Sequence, residues 1–404
     1  MMTAPNRNSA GVARIGSEGA FEVLARARAL EAQGTAIVHL EIGEPDFDTP
    51  AHIKRAGIAA IEQNYSHYSP SPGIPELRDA IARHAARFRG IEPFERDEIV
   101  VGPGGKPLIW NTLAALLDPG DEIIYADPAY PAYASAAAYL QAKVTPIPLL
   151  ERTNFRLDLD ELAAKINPKT KVLALNSPHN PTGGVLTRRD LETIAGLAIR
   201  NDAIVISDEI YCRNLYGAEF VSIATLPEMR ERTIIIDGFS KAYAMTGWRL
   251  GYAIAPKSIA KAIALLANNT YSCTATFVQR AGIAALDGPD EPVQAMVAEF
   301  RKRRDAIVAG LNSLPGVACK TPEGAFYVFP NISAITRDDR KLASFLLEEA
   351  HVAGLGGSMF GPAGAGHLRF SYANSLNNIA RAIDQMRAAL PAFRDWIQPA
   401  GALP

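Results

Sequence analysis

The run TIIIDGFSKAYAMTGWRLGY, Thr233 to Tyr252, decides how the rest of the chain reads. It opens on Ile234-Ile235-Ile236, a short apolar run that reads as a fully buried strand. A small-residue turn, Gly238-Phe239-Ser240, leads from it to Lys241. A lysine at the mouth of a buried strand is unusual, because lysine is almost never interior unless it is paired or chemically used. Desolvation lowers its pKa and favours the neutral amine, which is the nucleophile for a Schiff base. Eight residues on, past Thr246-Gly247-Trp248, Arg249 offers a planar fork suited to a phosphate.

Working outward, the 404 residues exceed what one core usually serves, so two domains are expected. Hydrophobic content of 48% supplies an interior, while 21% charged residues and a net charge of −2 give no basic field. Binding to nucleic acid or to a membrane surface is therefore not expected. The three cysteines, Cys212, Cys273 and Cys319, are scattered and odd in number, which suits a reducing, cytoplasmic setting. The seven histidines have no metal-ligand spacing, and no metal is expected. No apolar run is long enough for a membrane helix. Residues 1–16 lack an apolar signal core and read as a disordered tail.

Upstream of Thr233, apolar runs recur at Ile99–Val101, Glu122–Ala126, Lys143–Ile147, Lys171–Leu175 and Ile204–Ser207, with helical stretches between most of them. That alternation predicts a mostly parallel sheet with helices on both faces. Ligands on such sheets sit beyond the carboxyl ends of the strands, so informative residues should follow each run. After Val101 comes Gly102-Pro103-Gly104-Gly105-Lys106-Pro107 and then a helix. Glycines at a helix start let backbone N–H groups close on a phosphate. The spelling matches neither a Walker A loop nor a dinucleotide fingerprint. Lys106 opposes the helix dipole there, and a bound anion would explain it. After Ala126 comes DPAYPAY, with Tyr130; after Leu175 comes NSPHNPTGG, with Asn180; after Ser207 comes DEIY, with Asp208 and Tyr211. A carboxylate at a strand end is costly to bury unless it is paired.

The flanks have their own signals. Residues 21–33 have helical periodicity, and GEPDF beginning at Gly43 is a tight turn. Tyr68 precedes a rigid loop, Pro70 to Pro75, that leads into a helix. Residues from about 292 to 314 read as a long charged helix, with Arg301 to Arg304 as a solvated face. The segment from about 316 to 390 alternates short strands and helices, with Arg369 in a strand pattern, and the glycine-rich stretch 351–367 reads as mobile.

Together these strings resemble the class I and II aminotransferases of the aspartate aminotransferase superfamily, fold type I, over nearly the whole chain. The resemblance implies an α/β fold. A large domain, 46–290, would carry the helix-sandwiched sheet, and a smaller discontinuous α+β domain would form from 17–45 and 291–395. It implies pyridoxal 5′-phosphate as cofactor, joined to Lys241 as a Schiff base. Arg249, Gly104, Gly105 and Lys106 would then lie at the phosphate, Tyr130 on the ring, and Asn180 and Tyr211 at the 3-oxygen. Asp208 would face the ring nitrogen. Gly43, Asn180 and Arg369 would hold the substrate carboxylate. Tyr68 would reach the neighbouring subunit's cofactor in a homodimer. The activity implied is transfer of an amino group from an L-amino acid to a 2-oxo acid by a ping-pong course. Lys106 makes aspartate or glutamate the first substrates expected.

Many aminotransferases have a serine three residues before the lysine; here it is Gly238, and Ser240 or Thr276 could supply the hydroxyl. The alternative is another chemistry of the same cofactor, a C–S β-lyase or an aminocyclopropane-carboxylate synthase, which shares every residue above. A DNA-binding regulator with a degenerate domain of this kind would need an added winged-helix module, and no basic helix-turn-helix pattern precedes Gly43. A nicotinamide oxidoreductase fails on the missing fingerprint.

Overall fold

The computed structural model describes residues 7–16 and 18–397. Strand β1 (Val38–His39) comes first in the chain, apart from the main sheet. Eight strands then build one sheet: β2 (Ile99–Gly102), β3 (Glu122–Asp127), β4 (Lys143–Leu150), β5 (Arg156–Leu157), β6 (Thr170–Asn176), β7 (Ile204–Asp208), β8 (Thr233–Gly238) and β9 (Gly251–Ile254). Their spatial order is β2-β9-β8-β7-β6-β3-β4-β5. From β4 to β8 all neighbours are parallel, whereas β9 runs antiparallel to both β2 and β8 and β5 antiparallel to β4. The expected mostly parallel α/β sheet is thus present.

The alternation of side chains across this sheet builds two cores. Ile123, Val172, Ile206, Ile234 and Ile236 pack on one face, with residues of the helices Gly105–Leu116, Ala132–Tyr139 and Lys257–Thr270. Ile124, Leu173 and Val205 pack on the other face, with residues of the helix Arg188–Arg200. On that second face Ile235 joins residues of the helices Pro75–Arg89 and Thr276–Asp287. Strands buried on both sides are continuous apolar runs, which is why Ile234-Ile235-Ile236 shows no polar alternation. The helix Pro75–Arg89 is punctuated as its sequence dictates: proline at its first position and Gly90 past its end at φ 65°.

The last four strands are β10 (Tyr327–Val328), β11 (Val352–Ala353), β12 (Leu355–Gly356) and β13 (Leu368–Ser371). β10, β13 and β12 form an antiparallel sheet, and β11 pairs in parallel with β1. Val38 and Leu40 from the front of the chain share a core with Phe300, Phe345, Phe370 and Phe393 from its end.

Three expectations change. The glycine-rich stretch 351–367, read as mobile, is folded into β11, β12 and two short turns, and the Ala363 N–H donates to the Asp127 carboxylate at 3.2 Å. Arg303 is not on a solvated face. It is buried against the Phe47 ring, 4.7 Å from its centroid, and its Nη1 pairs with Asp46 at 2.5 Å. The helix Glu291–Asn312 therefore grips the GEPDF turn through this arginine. Within residues 1–16, Ala10–Ala13 form a short helix, and Arg14 donates to the carbonyls of Ala138 and Tyr139 at 2.8 Å each. Residues 1–6 lie outside the described residues.

Candidate active site

The carboxyl ends of the parallel strands converge where the sequence places its informative residues. Register pairs Asn176, the last residue of β6, with Asp208, the last of β7, and Asp208 with Ile236 of β8. Lys241 follows β8 by one turn. A cleft of about 710 Å³ opens above these ends. Of the residues singled out from the sequence, Gly43, Gly105, Lys106, Tyr130 and Asn180 line it, as do Asp208, Tyr211, Lys241, Arg249 and Arg369. Gly104 lies just behind, against Arg249. Tyr68 is not brought to this cleft; it is 91% exposed.

Lys241 Nζ donates to the Gly43 carbonyl at 2.5 Å. Burial pushes its pKa down from 10.5 to about 8, and the nearby Arg369 and Arg249 charges push the same way. The neutral amine, the nucleophilic form, is thus reached closer to neutrality than in an exposed lysine. Asp208 is the opposite case. Burial raises its carboxyl from 3.8 to about 6, against the Tyr133 hydroxyl, which donates to Oδ2 at 2.6 Å and favours the charged form. Such a carboxylate is poised for a cationic or N–H partner. The Tyr211 and Tyr327 hydroxyls lie 2.7 Å apart, and burial holds both well above their ordinary pKa range or raises them from it. The Asn176 amide donates to the Asp208 carbonyl at 3.0 Å, and its Oδ1 accepts from the Asn180 N–H at 2.9 Å, so the two strand ends are laced together.

One end of the cleft is built for an anion. The helix Gly105–Leu116 starts at Gly104 with no side chain capping its first N–H groups. Those donors and the helix dipole point at whatever lies before them. Gly104 stands at φ 96°, and a Cβ there would come within 2.2 Å of Arg249 Nη2. The glycine is thus the space the guanidinium needs. Arg249 itself adopts φ 55°, and its fork is steadied by the Thr246 and Pro103 carbonyls at 2.9 and 3.0 Å. Ser240 lines the cleft, while the Thr276 hydroxyl donates to the His67 carbonyl at 2.8 Å and is spoken for elsewhere. Of these two hydroxyl residues, Ser240 is the one that lines the cleft.

The other end holds Arg369. It is buried over the rings of Tyr327 and Phe360, at 4.6 and 5.0 Å, with its Nη2 on the Glu41 carbonyl and its Nη1 on Asn180 Oδ1 at 3.4 Å. Its Nε has no acceptor. A buried N–H without a partner is costly, and a carboxylate laid against the fork would satisfy it. Lys106, which called for an anion, already has one: its Nζ pairs with the Glu18 carboxylate.

The sequence reading passed over Tyr133, Tyr327, Glu18 and Phe21. Tyr133 stands three residues past Tyr130 in the same string, so its proximity to the site was legible, but its aim at Asp208 was not. Tyr327 lies in a strand pattern whose pairing decides which way it points. Among the described residues no group of three or more His, Cys, Asp or Glu is placed to hold a metal, and no helix is long and apolar enough to cross a membrane.

Comparison with known proteins gives a consistent picture. The family model described as aminotransferase class I and II matches residues 35–386. The chain is 38% identical to an aspartate aminotransferase of Musicola paradisiaca, over 96% of this chain and 97% of that one. It is 39% identical to aromatic-amino-acid aminotransferase 2 of Thermococcus litoralis, over 89% and 93%. The aspartate aminotransferase of Thermus thermophilus with maleate superposes with a TM-score of 0.91 at 37% identity, over 95% of this chain and 99% of that one.

Proposed function

The chain belongs to the class I and II aminotransferases and is an enzyme of transamination, and on that footing we propose that it works with pyridoxal 5′-phosphate attached at Lys241. The observation that carries the reading is this buried lysine, its pKa pushed to about 8, set between the anion cup and Arg369. The residues present suit the cofactor. Arg249, the uncapped N–H groups at Gly104 and Gly105, and Ser240 would hold its phosphate. Asp208 would hold its ring nitrogen, Tyr211 and Asn180 its 3-oxygen, and Tyr130 would pack against its ring.

Bound there, the cofactor supplies an electron sink for the charge left on Cα when its proton departs. The protein supplies the rest. Arg369, aided by the Gly43 backbone, binds the substrate α-carboxylate as a bidentate pair and so fixes which bond at Cα is presented. Once the substrate's amino group has taken its place on the cofactor, the freed Lys241 amine would take the Cα proton, and the ammonium so formed would return a proton one position along. Asp208, kept charged by the Tyr133 hydroxyl, holds a proton on the ring nitrogen. Tyr327 and Phe360 wall the Arg369 end with aromatic surface and keep water from the ion pair.

Purified protein given an amino acid alone should release one 2-oxo acid per site, with a shift in its visible absorption band. Borohydride should fix the cofactor onto Lys241, and Lys241→Ala should abolish turnover. Release of ammonia and a thiol, with the 2-oxo acid continuing past one per site, would instead mark the lyase chemistry as correct. Aspartate and glutamate with 2-oxo acids are the first substrates to assay.

The same reading includes a homodimer of the cytoplasm, with residues 46–290 as its large unit and 17–45 with 291–395 as its small one. An apolar groove of about 890 Å³ supports the pairing: it lies beside Arg249, walled by Ile58, Ile61, Trp248 and Phe277. Ile58 and Ile61 are each 57% exposed. Tyr68 would enter the second copy's site. Mixing Lys241→Ala with Tyr68→Phe protein under subunit exchange should then restore activity, because one site of each hybrid is native. No recovery on mixing would count against the shared site.

A further inference from the structure

The cleft holds a charge pair that the transamination chemistry does not use. Glu18 caps the helix Gly19–Glu31 with its backbone in extended conformation, and no N–H of that helix claims its side chain. The carboxylate instead crosses the cleft to Lys106 Nζ. Lys106 sits between two aromatic rings, 6.0 Å from the centroid of Phe21 and 5.7 Å from that of Tyr130. Ala20 and Phe21 follow Glu18 along one wall, and Ile109 and Tyr130 stand among the residues lining the rest. Glu18 is close enough for its charge to act on Lys241, Arg369, Tyr130 and Tyr327.

Charge balance makes this pair consequential. With Lys106 alone, the part of the cleft away from the α-carboxylate would present one unbalanced cation amid apolar walls. It would then select an anionic side chain. Glu18 cancels that cation. A second carboxylate arriving from a substrate would have to share Lys106 with Glu18 or push it away, and like charges in one site are costly. A neutral side chain leaves the pair intact and packs on Ala20, Phe21, Ile109 and Tyr130. The pair is partly open to solvent, Lys106 at 48% and Glu18 at 26% side-chain exposure, so its displacement is feasible rather than prohibitive.

We propose that Glu18 is a specificity-determining residue: an internal counter-ion to Lys106 that lowers the preference for dicarboxylic substrates and admits neutral aromatic and large apolar amino acids to the same site. The proposal rests on the transaminase reading above and concerns only which side chains that site favours. Glu18 holds substrate choice through Lys106, so its effect exists only while Lys106 is present.

The test is a binding comparison on the cofactor-loaded enzyme, with two unreactive probes. Maleate presents a second carboxylate, and 3-phenylpropionate presents a ring. The Glu18→Gln protein should shift the ratio of the two affinities toward maleate by about fivefold, the span of one partly exposed ion pair. Glu18→Ala, with folding checked by circular dichroism, should shift it the same way. In a Lys106→Met background the Glu18→Gln shift should vanish. An unchanged ratio in Glu18→Gln, or a shift that persists without Lys106, overturns the proposal. Because neither probe reacts, this outcome is separate from that of the transamination assay: a wild-type protein that binds both probes yet moves no amino group would refute the activity and leave the ratio to be judged by itself.

Discussion

At the scale of single residues the site is a set of groups moved from their ordinary pKa values by burial. Lys241 and Asp208 shift toward each other, one down to about 8 and the other up to about 6, because both lose water. For a lysine this sign means the ammonium is disfavoured. In the cofactor-free protein, competitive acylation of Lys241 should therefore rise with a midpoint near pH 8, while exposed lysines rise near 10.5. A midpoint matching the exposed lysines would contradict the buried placement. Tyr133 opposes the shift of Asp208 by donating at 2.6 Å. A hydrogen bond to a charged group is worth about 1.5–3 kcal/mol, or about one to two pH units. In the cofactor-free protein, Tyr133→Phe should accordingly raise the Asp208 titration midpoint, followed by carboxyl NMR, by about one unit or more. These two groups differ in legibility. Asp208 ends an apolar run and so declares itself, whereas Tyr133 reads as one tyrosine of two in DPAYPAY until the fold turns it inward.

At the scale of elements, strand ends and helix starts carry the function. The Gly104–Gly105 start of a helix is legible because glycines at that place have a mechanical purpose: free N–H groups and close approach. Gly104 at φ 96° and ψ 173° occupies a region open almost only to glycine, where another residue costs about 1–3 kcal/mol. Its Cβ would also collide with the Arg249 fork. Gly104→Ala should thus loosen cofactor binding by about tenfold or more by equilibrium dialysis, from at least about 1.4 kcal/mol. Its far-UV circular dichroism should stay that of the wild type, because the change lies at a loop and not in a core. Unaltered cofactor affinity would show that the cup does not depend on this glycine. β9 is not among the apolar runs that the sequence offers as strands. It spans Gly251–Ile254, and only its insertion between β2 and β8 makes those residues a strand.

Across the whole molecule, one buried ionic knot ties the helix layer to the sheet. Arg89, at the end of the helix Pro75–Arg89, pairs with Glu209 and Asp237 at 2.7 Å each, fully removed from solvent. Ser207 and Ser222 also donate to Glu209, at 2.8 and 2.6 Å, and the Tyr252 hydroxyl donates to Asp237 at 2.8 Å. Glu209 thus has the structural place its neighbour Asp208 does not. Removing the arginine leaves two buried carboxylates without a cation, a loss of about 3–5 kcal/mol. Arg89→Ala should lower the urea midpoint accordingly, and a change under about 1 kcal/mol would mean that water reaches the knot.

The order of short apolar runs, most of them closed by glycine, asparagine or aspartate, was enough by itself to give a mostly parallel α/β sheet with its informative residues at the strand ends. Local chemistry fixes those signals: a buried strand must be apolar, and a ligand-facing strand end must be polar or small. What chain order could not decide was which distant groups share charge. Glu18 on Lys106, Tyr133 on Asp208, Arg303 on Asp46 and Arg89 between two carboxylates are all contacts between segments far apart in sequence. Such pairs depend on the direction each side chain takes after packing, and only the folded chain sets that direction.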